Sequence, residues 1–216
     1  MGSELRGVIY DFDNTLVLTD KYLQKKIEEI CKYTRKEIRI NRKELETGSH
    51  LISWLKKWQI PKRKAEEIYL SEIHSLTLVD CAREMLKHVH SLDYPQGIAT
   101  HSPRCVVETV LENNKALEYV TKMVTFDEIL KLKLKPKPAP DTLLWLADQL
   151  DVKPQNCLYA GDTPEDIKAG KSAGMITVGV AYDKNRIKRL RKTYPDLGIM
   201  TSSKQLYNLV CLLFSR

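Results

Sequence analysis

From Asp80 onward the chain switches repeatedly between two periods. Short apolar runs bounded by turns, at Gln96–Thr100, Met123–Phe126, Cys157–Ala160 and Ile176–Val180, alternate with segments whose apolar residues recur every three or four positions. Those segments are Ala82–Val89, Pro103–Asn113, Pro140–Leu150 and Pro164–Ala173, and two further helices flank a short strand at Gly198–Met200. A continuous apolar run suits a strand buried on both faces, and a helix between strands is the crossover that parallel pairing requires. The pattern therefore predicts an α/β fold, a doubly wound, Rossmann-like parallel sheet whose ligands sit at the carboxyl ends of the strands.

One further strand, Gly7–Tyr10, stands apart at the N-terminus. The chain after it reads as three amphipathic helices, marked by Leu23, Ile27 and Ile30, by Leu51, Trp54, Leu55 and Trp58, and by Ala65, Ile68, Tyr69 and Ile73. "ETGSH" and "QIPKRK" supply the turns between them. The expected organisation is a core of residues 1–15 and 81–216 with an all-α cap, residues 16–80, inserted after the first strand. Placed over the strand ends, such an insert is a natural lid.

Composition narrows the functional classes. Residues 16–80 carry 14 Lys/Arg against 10 Asp/Glu and the remainder 21 against 18, so the net charge of +7 is spread and mixed with acids. That distribution suits small anions better than nucleic acid. The densest basic run, Lys184–Lys192, has helical spacing beside Ile187 and Leu190 and reads as a solvated helix face. Cys31, Cys81, Cys105, Cys157 and Cys211 are scattered without a CxxC pair, as expected of free thiols in a reducing compartment. With no apolar run of bilayer length and no signal-peptide pattern, the expectation is a cytoplasmic protein, a monomer or homodimer, with no membrane partner.

The polar residues at the strand ends carry the chemistry. "YDFDNT" ends the first strand on Asp11 and Asp13. Two carboxylates at the rim of an apolar sheet repel each other and resist desolvation, which calls for a metal ion, a shared proton or a basic partner. In "ATHSPR", Thr100 ends its strand facing the same crevice, while Ser102 reads as the N-cap of a helix beginning at Pro103. "KLKPKPAPD" holds Lys135 and Lys137 between prolines, where a point charge is positioned at reduced entropic cost. In "AGDTPED", Asp162 follows a strand and Gly161, and Thr163 and Pro164 form a helix start within which Asp166 fits a structural or a functional role equally.

"DFDNT", "GIATHS", "KPAPD" and "GDTPED" resemble, in order and approximate spacing, the four motifs of the haloacid dehalogenase superfamily, in its phosphoglycolate-phosphatase-like branch with a helical cap. The resemblance covers nearly the whole chain. It implies a Mg²⁺-dependent phosphomonoesterase acting on a small phosphorylated metabolite such as phosphoglycolate or a sugar phosphate. Asp11 would be the nucleophile forming an aspartyl-phosphate, and Asp13 the general acid and base. Mg²⁺ would be held by Asp11, the Asp13 backbone carbonyl and Asp162. Thr100 and Lys137 would hold the phosphoryl group, and Asp166 would orient Lys137 or a metal-bound water. Spacing to Asp162 favours Lys137 over Lys135. Gly48, Ser49 and His50, in "ETGSHL", resemble the family's substrate-specificity loop, an ordinary helix–helix turn being the other reading.

Two departures stand out. Leu18 replaces an acid common in the family, with the hydroxyl residue Thr19 beside it, and His101 replaces the frequent Asn after the second motif, which makes it a candidate substrate contact. Among rivals, dehalogenation needs neither Asp13 nor Asp162, and phosphonate hydrolysis needs a cap lysine that no pattern singles out. A sugar-phosphate mutase of the β-phosphoglucomutase type keeps the same core residues and stays open. A non-catalytic basic binding module has no reason to keep Asp11, Asp13 and Lys137 together.

Overall fold

The computed structural model describes residues 4–35 and 61–215. Six strands, β1 (Gly7–Tyr10), β2 (Gln96–Ala99), β3 (Lys122–Val124), β4 (Cys157–Gly161), β5 (Ile176–Val180) and β6 (Ile199–Met200), form one sheet in the order β3-β2-β1-β4-β5-β6. Every pairing is parallel, and Ile9 of β1 lies opposite Gly97 of β2 and Tyr159 of β4. The strand order reverses between β1 and β4, so the crevice beyond the carboxyl ends of these two strands is where this topology receives a ligand.

The described helices are α1 (Asp20–Thr34), α2 (Lys62–Leu70), α3 (Ala82–Ser91), α4 (Arg104–Asn113), α5 (Phe126–Lys131), α6 (Asp141–Gln149), α7 (Pro164–Ser172), α8 (Lys184–Leu190) and α9 (Ser203–Leu213). Side-chain alternation along the strands divides the core in two. Val8, Tyr10, Leu158 and Ala160 face α3, α4 and α9, where Leu86, Val107, Leu111 and Val210 are fully buried. Ile9, Cys157 and Tyr159 face the opposite layer, which includes Leu143 and Leu146 of α6 and Ala169 of α7. The expected α/β doubly wound sheet is the observed one. Among the described residues, no helix is long and apolar enough to cross a membrane.

Between β1 and β2, α1 and α2 pack on each other. Lys26, almost fully buried in α1, donates from Nζ to Ser71 Oγ at 2.7 Å and pairs with Glu72 at 3.2 Å. The Tyr22 hydroxyl donates to the Tyr69 carbonyl. The expected helix around Leu51 to Trp58 lies outside the described residues.

Two local readings differ from what is observed. Ile73 is not in the helix of Ile68 and Tyr69; α2 stops at Leu70, and Ile73 opens a single 3₁₀ turn after Glu72, whose φ is +61°. The strand expected at Met123–Phe126 is shifted to Lys122–Val124, and Phe126 begins α5. Thr125 and Glu128 form a capping box, Glu128 Oε2 accepting from the Thr125 backbone N–H at 3.0 Å, which turns the chain into a helix where its apolar residues alone read as a strand.

Candidate active site

The turn after β1 sets the geometry. Asp11 still belongs to the ladder, its N–H donating to the Ala160 carbonyl at 2.8 Å, so a buried carboxylate is fixed at the centre of the sheet's edge. Asn14 takes φ of +56°, a conformation that asparagine tolerates, and its Oδ1 accepts from the N–H groups of Thr19 at 3.2 Å and Asp20 at 3.3 Å. Asn14 thus satisfies the first donors of α1, where the Thr19 hydroxyl makes no cap bond. Leu18, at the position of the missing acid, is half exposed.

Thr100 and Ser102 converge on Asp13. Thr100 Oγ1 donates to Asp13 Oδ2 at 3.0 Å and Ser102 Oγ to the same oxygen at 2.7 Å. Ser102 is therefore not the cap that its position suggests. Helix α4 starts one residue later, Pro103 occupies the N-cap position with ψ of 148°, and the Arg104 N–H is satisfied by Asp127 Oδ2 at 2.7 Å. The Tyr69 hydroxyl of α2 joins this cluster; burial, with the charge of Asp13 beside it, pushes it well above its ordinary pKa.

Of the two competing lysines, Lys137 is the one that reaches the carboxylates, while Lys135 is exposed. Lys137 Nζ lies 2.6 Å from Asp11 Oδ1 and 2.7 Å from Asp166 Oδ1, and also donates to the Ala99 carbonyl at 3.2 Å. Tyr159, on β4, donates its hydroxyl to Asp166 Oδ1 at 2.7 Å. Asp166 Oδ2 accepts from the Thr163 N–H at 3.0 Å and its hydroxyl at 2.6 Å. Asp166 is thus both capping-box partner of α7 and anchor of Lys137. Gly161 makes this approach feasible, because a Cβ there would lie 2.4 Å from the Asp166 Cβ.

Asp162 follows β4 and is buried. Its Oδ2 accepts from Arg186 Nε at 2.7 Å, and Arg186, in α8, is itself only 4% exposed. The expectation of a solvated basic face over Lys184–Lys192 fails at this residue. Sequence reading missed Arg186, Tyr159 and the Asp13 contact of Ser102. The signal for Arg186 was its place four residues before the buried Leu190, on the same helix face, which a run of like charges hides.

The electrostatics follow from burial. Desolvation pushes Asp11 up to about 8 against the pull of Lys137, with Asp166 and Asp13 adding to the rise. Asp162 is raised well above its ordinary value by burial and by Asp11, with Arg186 opposing. For Asp166, burial is outweighed by Lys137 and by the hydrogen bonds from Thr163 and Tyr159, so it is held low. Lys137 loses charge stability to burial and regains more from Asp11 and Asp166, so it stays charged.

Carboxylate oxygens of Asp11, Asp162 and Asp166 lie within 4.8 Å of one another, close enough to hold a metal ion. Both oxygens of Asp166 are already taken by Lys137, Tyr159 and Thr163, which leaves Asp11 and Asp162 as the better donors. Each is bonded by its cation on one oxygen only. Hard oxygen donors at the end of a buried strand fit a small divalent cation. His101 is half-buried and lines, with Phe126, Lys133 and Lys137, a largely apolar hollow of about 510 Å³. Gly48, Ser49 and His50 lie outside the described residues.

Known proteins resemble this chain in sequence and in fold. Phosphoglycolate phosphatase from Escherichia coli K12 is 32% identical over 103 residues, 48% of this chain and 39% of the relative. The enzyme of that name from Vibrio vulnificus CMCP6 is 27% identical over 146 residues, 67% of this chain and 62% of the relative. With 53% for the Shigella boydii relative, the chain spans about half the length of the curated proteins it matches. The crystal structure of a predicted phosphoglycolate phosphatase from Haemophilus somnus superposes with a TM-score of 0.77 at 19% identity, over 95% of this chain and 97% of that one. A putative β-phosphoglucomutase from Thermotoga maritima gives 0.74 at 20% identity, over 95% and 98%. The family model for haloacid dehalogenase-like hydrolases matches residues 8–180, and the chain belongs to that family.

Proposed function

We propose that the protein is a Mg²⁺-dependent phosphomonoesterase acting on a small organic phosphate, with residues 16–80 as its cap. The observation that carries this reading is the division of labour between the two aspartates of one turn. Asp11 is paired with Lys137, whereas Asp13 is bonded by two hydroxyls, Thr100 and Ser102. Lys137 pulls Asp11 toward the anion against the burial that raises it, and a divalent cation would add to that pull, while the two hydroxyls orient Asp13 for proton transfer.

In the reaction, an Asp11 carboxylate oxygen attacks phosphorus in line, the P–O bond to the alcohol breaks, and the departing oxygen takes the proton of Asp13. Both hydroxyls bond Oδ2 of Asp13, so Oδ1 is the oxygen that carries this proton. Water then loses a proton to Asp13 and attacks the aspartyl-phosphate, releasing phosphate and restoring Asp11. Lys137, held charged by Asp11 and Asp166, lies where negative charge develops on the transferring oxygens. Asp11 and Asp162 would hold Mg²⁺ with the Asp13 carbonyl, and the ion supplies charge neutralisation at the phosphoryl group when bound. Asp166 keeps Lys137 in place, and His101 and the segment of Gly48, Ser49 and His50 are candidate contacts to the alcohol part of the substrate.

The test is phosphate release from a panel of phosphate esters by wild type and Asp11→Asn, each with Mg²⁺ or EDTA. Turnover is expected from the wild type with Mg²⁺ alone. Equal release by both proteins, or indifference to EDTA, removes the mechanism. Transfer of the phosphoryl group between two hydroxyls of a sugar phosphate identifies a mutase instead, and salt-dependent RNA binding without turnover identifies a binding module.

A further inference from the structure

Arg186 stands between two parts of the molecule that are far apart in the chain. Its Nε donates to Asp162 Oδ2 at 2.7 Å. Its Nη1 and Nη2 grip the two carboxylate oxygens of Asp20 at 2.9 Å each, and Nη1 also reaches Asp183 Oδ2 at 3.1 Å. Asp183 is the N-cap of α8, accepting from the N–H groups of Asn185 at 2.8 Å and Arg186 at 3.0 Å, so the base of the arginine is fixed. Asp20 is the first residue of α1, whose other anchor is the Asn14 side chain in the turn that carries Asp11 and Asp13. The start of α1 is therefore pinned on one side to the nucleophile's turn and on the other to Asp162.

We propose that Arg186 is a positioning residue that couples metal occupancy at Asp162 to the anchoring of the cap through Asp20. This inference rests on the reading of Asp162 as a metal ligand and of residues 16–80 as a cap. One guanidinium charge is shared between the buried carboxylate of Asp162 and the more exposed ones of Asp20 and Asp183. A divalent cation at Asp162 draws on the same negative charge as Arg186 Nε, weakens that bond, and shifts the guanidinium's attraction toward Asp20. The link runs equally in reverse: removing the charge of Asp20 leaves only Asp183 to share the cationic field of Arg186 with Asp162, where more of it opposes the metal. Only a planar fork can serve Asp162 and Asp20 at once; a lysine at this position supplies one point charge and has to choose.

The experiment measures Mg²⁺ affinity by calorimetry without substrate, and amide hydrogen exchange of Asp20–Leu23 with and without Mg²⁺, in the full chain and its Asp20→Asn and Arg186→Lys variants. In the wild type, Mg²⁺ is expected to change exchange in the first turn of α1. In Asp20→Asn the affinity should weaken about fivefold to tenfold, and the Mg²⁺ effect on α1 should vanish in both variants. A merely structural clasp lowers the melting temperature of Asp20→Asn and leaves its Mg²⁺ affinity within about twofold of wild type. That outcome, or wild-type exchange in α1 indifferent to Mg²⁺, overturns the coupling and leaves the phosphatase reading standing. No Mg²⁺ binding by the wild type overturns the metal reading and the coupling together.

Discussion

A hydroxyl donating to a carboxylate contributes roughly 1.5–3 kcal/mol, and Asp13 receives two such bonds on one oxygen. Ser102→Ala removes one of them. If that bond orients Asp13 for proton transfer, kcat falls about tenfold or more, beside a stability loss of roughly 1.5–3 kcal/mol. If Ser102 acted as a helix cap instead, about 1 kcal/mol of stability would be lost and kcat kept. Steady-state kinetics beside thermal melts separate the two. A serine before a proline reads as a cap because the usual helix places proline first; here Pro103 itself stands at the boundary, and the cap's work passes to Asp127, 23 residues away. Lys137 invites a parallel test. Lys137→Met leaves Asp11 and Asp166 facing each other in a buried site, and a cost of roughly 3 kcal/mol with loss of activity is expected, against less than about 0.5 kcal/mol for Lys135→Met. Chemical denaturation of the two variants checks the assignment that spacing alone had favoured.

At the scale of elements, the strands and most helices were legible because burial on both faces and one-sided burial leave different periods in the sequence. Helix α5 was not, since six residues are too few to establish a helical period and its start is decided by Thr125 and Glu128 rather than by apolar residues. That capping box makes a specific prediction. Burial would raise the Glu128 carboxyl, but bonds from Thr125 and Arg104 outweigh it and hold the group below its ordinary value. A carboxylate depressed in the folded state stabilises it above the ordinary carboxylate range, and that contribution is lost as pH falls through the depressed value. Glu128→Ala should therefore cost about 1 kcal/mol at neutral pH, with the gap to wild type closing below about pH 4, as denaturant titrations at a series of pH values would reveal.

Across the whole molecule, the sequence discloses which residues end strands but not which distant segments meet beside them. The alternation of strands and helices places Asp11, Thr100 and Asp162 at one edge, because carboxyl ends of parallel strands must share an edge. It is silent on Arg186, which reaches Asp20 across 166 residues of chain only because α8 returns past the end of β4. The price of this convergence is a set of buried charges in which Asp11 raises the reluctance of Asp162 to ionise, and Asp166 and Asp13 that of Asp11, beyond what burial does. A divalent cation held by Asp11 and Asp162 removes that repulsion in the folded state alone, so its binding must appear as stability. At a Mg²⁺ concentration of about 100 times Kd, the linkage amounts to roughly 2.7 kcal/mol, or a rise of about 5–10 °C in melting temperature for a chain of this size. Asp162→Asn should abolish the rise, to less than about 1 °C, because the site loses a charged donor that no neighbour replaces: Asp166 has both oxygens committed to Lys137, Tyr159 and Thr163. Equal Mg²⁺-induced shifts in wild type and variant would instead place the ion elsewhere on the molecule.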